Sequence, residues 1–314
     1  MSPKLKNSNR EDGKVTDLST AVTQSLSDGD SVYLAGFTHL IPFAAGHEII
    51  RQGFTGLHLI RATPDLIYDQ MIAAGCASKI TFSWAGNPGV GSLRAFRRAI
   101  EDSIPRSVEL DEYTHFGLTS RLAAGARGLP FMPVRTFEGS DLPDQNENIR
   151  AVKNPFGEDK ICTVPPLCPD VAVVRAQRAD SEGNAHIWGI QGEIPEVAHA
   201  ADTVILSVEE IVEERVIRSD PNRTVVPGTA VDYVVEEPYG SHPSYAQGYY
   251  DRDNDAYLEW NEVSGTHEDT LEWLDEWVYG VADRQEYIEK LGAERLLELQ
   301  VSNSYAAPIN MGGY

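Results

Sequence analysis

Ser31-Val-Tyr-Leu-Ala-Gly-Phe37 is a short apolar run that ends at a glycine turn. A run this short, without polar alternation, fits a strand buried on both faces and feeding a tight turn. On its N-terminal side, the apolar spacing from Leu18 to Leu26 predicts a helix, stopped by Asp28-Gly29. On its C-terminal side, Pro42 to Arg51 reads as a helix, Leu57 to Ala62 as a strand and Leu66 to Ala74 as a helix. Lys79 to Trp84 is strand-like, and Leu93 to Glu101 helical. The pattern continues with a helix at Thr119 to Gly128 and buried strands at Val171 to Gln177 and Thr203 to Val208. Such alternation predicts an α/β fold: an open, largely parallel sheet covered by helices.

Three segments are expected. Residues 1–14 are polar and read as a flexible N-terminus, 15–237 as the α/β domain, and 238–314 as a mainly helical extension packed on it. Asp141 to Gly157 is polar and reads as a long surface loop. Glu268 to Leu299 reads as helical, with a break near Val281–Asp283. Tyr245, Tyr249, Tyr250 and Trp260 are expected in the core rather than at an interface.

The formal net charge is −22, from 48 acidic and 26 basic residues. That balance argues against nucleic acid, whose phosphates need a basic face, and against an anionic membrane. Only seven of the basic residues are lysines. An acidic, lysine-poor surface stays soluble where salt screens charge over a few ångströms, which suggests adaptation to high salt. No apolar stretch approaches the roughly 18–20 residues of a membrane helix, and Met1-Ser-Pro-Lys-Leu-Lys6 leads into polar residues rather than a signal sequence. A cytoplasmic location is the expectation. Cys76, Cys162 and Cys168 have no metal spacing and read as small buried apolar residues in a reducing compartment.

Several motifs have a chemical reading beside a plain one. In Ala35-Gly36-Phe37-Thr38, Gly36 lets backbone approach a ligand and presents N–H groups to an anion or carbonyl oxygen; the same residues also make an ordinary βα turn. Gly86-Asn-Pro-Gly89-Val-Gly91-Ser92 precedes a helix carrying Arg94, Arg97 and Arg98, either as a phosphate cradle or as a glycine-rich turn beside surface arginines. It lacks the Lys-Ser/Thr ending of a P-loop. Glu109-Leu-Asp111-Glu112-Tyr113 clusters three carboxylates, which raise one another's pKa and suit a nucleophile or base; in so acidic a chain they also read as solvated surface. Ser181-Glu182-Gly183-Asn184 reads as a turn. His39 and His115 fall near candidate loops and read as structural. No metal-binding pattern and no GxSxG elbow appears.

The order of these segments resembles the alpha subunits of family I CoA-transferases of the glutaconate type. The similar stretches are Gly29 to Thr38, Glu48-Ile-Ile-Arg-Gln-Gly53, Phe96-Arg-Arg98, Gly128 to Pro133, Asn154-Pro-Phe156, Ile187-Trp-Gly189 and Tyr239 to Ser244. The tail agrees in Glu276-Trp-Val278, Glu286-Tyr287 and Lys290-Leu-Gly292, so the likeness runs from about Gly29 to Leu299. Ala35 stands where the family's loop has a glycine. The resemblance implies a beta-type partner of similar fold, a site between the two subunits, and transfer of CoA from an acyl-CoA to a dicarboxylic or other small acid. The nucleophilic glutamate is then on the beta subunit, no metal or organic cofactor is used, and the CoA thioester is substrate. By this likeness Gly36, Phe37 and Thr38 line the acyl or oxyanion region. Gly89, Gly91, Ser92 and Arg97 form a second wall, and Gly139-Ser140 is a further candidate loop. A related branch hydrolyses a ring-containing acyl-CoA, and its likeness makes Glu112 the candidate catalytic residue, positioning or activating a water or carboxylate. A non-catalytic structural subunit is the third reading.

Overall fold

The computed structural model describes residues 13–301. The chain begins with α1 (Leu18–Ser25), β1 (Ser31–Leu34), α2 (Phe43–Arg51), β2 (Leu57–Ile60), α3 (Leu66–Ala73), β3 (Ala77–Phe82), α4 (Arg94–Glu101), β4 (Glu109–Glu112) and α5 (His115–Ala126). There follow β5 (Met132–Val134), α6 (Leu142–Gln145), β6 (Arg150–Lys153), β7 (Lys160–Val164), β8 (Val171–Ala179), β9 (Ala185–His186), α7 (Ile194–Ala200) and β10 (Thr203–Ile211). The last part holds α8 (Glu214–Arg218), β11 (Thr224–Val226), β12 (Tyr233–Glu236), α9 (Asn254–Val263), α10 (His267–Leu274), α11 (Arg284–Leu291) and α12 (Ala293–Glu298). The strand predicted over 31–37 stops at Leu34, and Ala35 still donates its N–H to Val173 O at 2.9 Å.

Seven strands form a parallel path in the order β12, β10, β8, β1, β2, β3, β4. Val32 sits opposite Leu59 on one side and Val171 on the other, so β1 is central. β9 and β11 extend the sheet antiparallel beyond the end of β8. Side chains alternate between faces along a strand, and both faces here are covered. Val32 and Leu34 join the core under α1 to α4 and the tail, whereas Tyr33 and Ala35 join the core under α5 and α7. That double burial is why the strands read as continuous apolar runs.

Three expectations need correction. Asp141–Gly157 is not a structureless loop: it contains α6 and β6, and β6 pairs with β7 in a small antiparallel sheet of β5, β7 and β6. Every residue of β6 is exposed, so no buried face marked it in the sequence. Residues 1–12 lie outside the described residues, but Lys14 is tied down rather than frayed: its O accepts from Val234 N at 2.8 Å, and its Nζ donates to Gly228 O at 2.7 Å. Of the three free cysteines, only Cys76 is buried; Cys168 is exposed at the surface.

Three of the four aromatics expected in the core of the C-terminal extension are buried, whereas Tyr249 is only partly so. Tyr245, Tyr250 and Trp260 are buried, Trp260 donating to Asp69 Oδ2 at 2.9 Å. The helical break falls at 280–283, after a π-helical turn at Asp275–Tyr279. Among the described residues no helix is long and apolar enough to cross a membrane.

Candidate functional site

The order of strands reverses between β1 and β8: β2, β3 and β4 run outward on one side, β10 and β12 on the other. In open parallel sheets ligands bind beyond the carboxyl ends at such a reversal. The residues there are Gly36, Phe37 and Thr38, immediately after β1. Gly36 has φ 114°, Thr38 φ 56° and Leu40 φ 52°. Non-glycine residues held in the left-handed region cost roughly 1–3 kcal/mol each and persist where their surroundings enforce them. Those surroundings are visible. Arg61, fully buried after β2, donates through Nη2 to Gly36 O at 2.8 Å. Leu40 N donates to Tyr245 O at 3.0 Å, and Ser244 Oγ to Thr38 O at 2.9 Å. His39 is buried under Tyr245; its Nε2 accepts from Gln247 N at 3.0 Å and its Nδ1 faces Ile190 O at 3.1 Å. Burial pushes the His39 imidazole down to about 4, so it is neutral near pH 7. Among the described residues no protein acceptor takes the N–H of Gly36, Phe37 or Thr38. A run of such open N–H groups on a left-handed turn is a receptor for an anion or an oxyanion.

Beside this turn lies a cleft of about 320 Å³ lined by Phe37, His115, Thr119, Gly192, Glu193 and Glu196. His115 is the first residue of α5, just past β4, with Thr114 as N-cap. The helix starts earlier than the predicted Thr119, which is what brings His115 to the cleft. Glu193 precedes α7 from the opposite half of the sheet and is only 5% exposed. His115 Nε2 lies 3.1 Å from Glu193 Oε1, and Tyr33 OH donates to Glu193 Oε2 at 3.3 Å. Ser83 Oγ donates to Ala62 O at 2.6 Å and lies 3.2 Å from His115 Nδ1. The bond to Glu193 raises the His115 pKa. Burial, then the Glu193 charge, pushes the Tyr33 phenol well above its ordinary value.

The other candidate residues fall elsewhere. The Gly86–Ser92 loop also follows a strand, β3, but closes on the C-terminal extension. Gly91 faces Asn261, and Arg252 donates to Pro88 O at 3.2 Å. Gly89, Gly91, Ser92 and Arg97 do not line the cleft, and Arg97 pairs in solvent with Glu101. Gly139 and Ser140 form a turn after β5, Ser140 Oγ donating to Phe137 O at 3.0 Å. Glu112 ends the edge strand β4 and is exposed. Its neighbour Asp111 accepts from Thr81 at 3.0 Å and Asn146 at 2.9 Å, and Tyr113 joins the core under α5. Strand alternation therefore turns Glu112 to the other face of the sheet, away from His115. Glu182 lies in the turn that Asp180 organises by accepting from the Glu182 and Asn184 N–H groups.

A groove of about 450 Å³ lies between α2, the end of β12 and α11. Its charged groups largely hold one another or the backbone: Arg51 pairs with Glu48, and Arg284 donates to Tyr239 O and His242 O. The smaller cleft is the better candidate site because it sits at the strand reversal. Among the described residues no group of three or more His, Cys, Asp or Glu side chains is placed to hold a metal ion.

A doubly covered parallel sheet, with a turn of unpaired N–H groups at its strand reversal, defines an open α/β protein with its candidate ligand site at the carboxyl edge. The Coenzyme A transferase family model matches residues 15–237, and the chain belongs to that family. It is 49% identical over 274 residues to the A subunit of 3-oxoadipate CoA-transferase from Pseudomonas knackmussii, covering 87% of this chain and 96% of that protein. It superposes on the crystal structure of glutaconate coenzyme A-transferase from Acidaminococcus fermentans with a TM-score of 0.88 at 35% identity, over 92% of this chain and 96% of that one. The cholesterol ring-cleaving hydrolase IpdA subunit of Mycobacterium tuberculosis is 29% identical over 295 residues, covering 90% of this chain and 99% of that protein.

Proposed function

We propose that the chain is the alpha-type subunit of a CoA-transferase that moves CoA between an acyl-CoA and a small carboxylic acid, with a dicarboxylic acid as the favoured substrate. The observation that carries this is the cleft itself. It borders the Gly36–Thr38 turn through Phe37, and the turn's N–H groups have no protein acceptor among the described residues; its buried carboxylate, Glu193, is held by His115 and Tyr33. By the likeness to CoA-transferase A subunits, the nucleophilic glutamate belongs to a beta-type partner docked over the carboxyl edge. That glutamate attacks the thioester carbonyl and displaces CoA thiolate, leaving an acyl–glutamyl anhydride; the thiolate then attacks the glutamyl carbonyl, forming a glutamyl-CoA thioester and releasing the donor's carboxylate, and the acceptor acid takes CoA by the same two additions in reverse. The turn's N–H groups stabilise the oxyanion formed in each addition. The relatives' names support a dicarboxylic substrate, since 3-oxoadipate and glutaconate each carry two carboxylates. No metal or organic cofactor enters this chemistry.

The test is direct. The copurified complex is given an acyl-CoA and free glutaconate or 3-oxoadipate, and its CoA esters are identified by mass spectrometry. A new ester of the added acid supports transfer. Free CoA with no new ester supports the second reading, an acyl-CoA hydrolase using Glu112, which the hydrolase relative favours.

A cytoplasmic, salt-adapted protein fits the −22 charge and the seven lysines. Its unfolding midpoint should rise between about 0.1 M and 2 M salt as repulsion is screened. A midpoint that falls over that range contradicts the adaptation.

A further inference from the structure

We propose that His115 and Glu193 form a charged latch across the cleft, and that His115 is a positioning residue for the Gly36–Thr38 turn. This rests on the transferase reading and adds the residue that holds its oxyanion turn in place. The pair joins the two halves of the sheet beyond the strand reversal. His115 belongs to the β4 half and Glu193 to the half begun by β8. The turn is enclosed between them. The Phe37 ring stands edge-on to His115, with centroids 6.0 Å apart at 85°. On its other side, a Cβ on Gly192 would stand 2.9 Å from Phe37 Cβ, so only glycine leaves room for Phe37 there.

Counting hydrogens gives the charge state. Ser83 gives its proton to Ala62 O, so Nδ1 of His115 donates to Ser83 Oγ. Nε2 faces a carboxylate and donates as well. An imidazole donating at both nitrogens is an imidazolium. A cation at the first residue of α5 stands at the wrong end of the helix dipole, and the buried Glu193 charge offsets that. The other charged groups nearby are Glu196, in the first turn of α7 and lining the same cleft, and Arg61, which lies under the turn near Tyr33 and Glu193. Of these groups it is Glu193, through its hydrogen bond and its charge, that favours the protonated ring, and partial burial opposes it.

The His115 pKa is raised in the fold, so the latch is a charged pair below that pKa and is weakened to a neutral hydrogen bond as pH rises through it. Losing the charge loosens the wall that Phe37 leans on, and a small displacement of an oxyanion turn is enough to slow addition strongly.

The experiment uses the chain with its copurified partner, and Glu193→Gln and His115→Gln beside wild type. The His115 titration is read by NMR on histidine labelled with carbon-13, and kcat/KM for CoA transfer is read against pH. In wild type, kcat/KM falls on the alkaline side along the His115 titration. Glu193→Gln keeps a hydrogen-bond acceptor but removes the charge, so both curves move to lower pH together. His115→Gln is about tenfold slower and shows no such limb. A Glu193→Gln complex whose His115 titration moves while the kinetic limb stays would overturn the proposal, and so would an unmoved titration whatever the activity. A wild-type complex that transfers no CoA defeats the transferase reading instead.

Discussion

The carbonyl oxygen of Leu40 stands 2.7 Å from where a methyl group on Gly36 would sit, and the same position is 2.7 Å from His39 O. Both obstacles are backbone, so neither can swing away, and the φ of 114° disfavours any L side chain. Gly36→Ala should therefore cost about 1–3 kcal/mol in unfolding free energy. It should lower turnover about 100-fold or more by moving the turn's N–H groups. Denaturant unfolding and steady-state kinetics on the same preparation check both. Near-normal turnover would show that the turn does not position substrate.

Arg175 and Glu209 are buried together at the seam between the sheet and the C-terminal extension. Glu209 also accepts from Tyr250 OH and Tyr239 N, each at 2.7 Å, so the pair holds the tail that fixes the strained turn. Removing one partner strands a buried charge. Glu209→Ala should cost about 3–5 kcal/mol, and Tyr250→Phe about 1 kcal/mol. Chemical denaturation at pH 7 distinguishes them. A small loss in Glu209→Ala would mean the tail's packing, and not this pair, carries its attachment.

His39 predicts an acid weakness. Its pKa is lowered to about 4 by burial, against an ordinary value of 6.5. The unfolded chain takes up the proton first, so stability is present above pH 6.5 and is lost as pH falls toward about 4. At about 1.4 kcal/mol per pKa unit, the loss from this one group is on the order of 3 kcal/mol. His39→Gln keeps a donor for Ile190 O and an acceptor for Gln247 N. Its stability should decline less steeply over that range while matching wild type near pH 7. Parallel stability–pH curves would contradict this.

Glu112 separates the two chemical readings. It is exposed at the end of an edge strand and faces away from the cleft. Under the transferase reading Glu112→Ala changes transfer by less than about threefold, because surface substitutions away from a site shift energies by only about 0.5 kcal/mol. Loss of CoA release in this variant would favour the hydrolase reading.

The fold was legible where strands are buried on both faces. Val32 to Leu34 and Val171 to Val174 are apolar without interruption because neither face meets water. β6 was missed for the opposite reason, since exposed Arg150 and Lys153 carry no pattern of burial. The Gly36 turn was legible because an apolar strand ending at glycine implies a tight approach. The His115–Glu193 pair was not. The two residues are far apart in sequence, and a single histidine carries no spacing signal until α5 and α7 bring it against a carboxylate. The offset of three between Thr114 and Gly117, which marks the cap of α5, is the one local clue that His115 opens a helix at a strand end. The Gly86–Ser92 run stood out by composition, yet its Gly91 packs closely against Asn261 of the tail and its Gly86 against Trp84.

The measurement that bears most directly on the central claim is covalent trapping in the copurified complex. The complex is incubated with an acyl-CoA, the thioester is captured with borohydride or hydroxylamine, and both chains are mapped by mass spectrometry. The expected result is one modified glutamate on the partner chain, with none on this one. A modified glutamate on this chain, or release of free CoA with no trapped thioester on either, would contradict transfer through a partner glutamate.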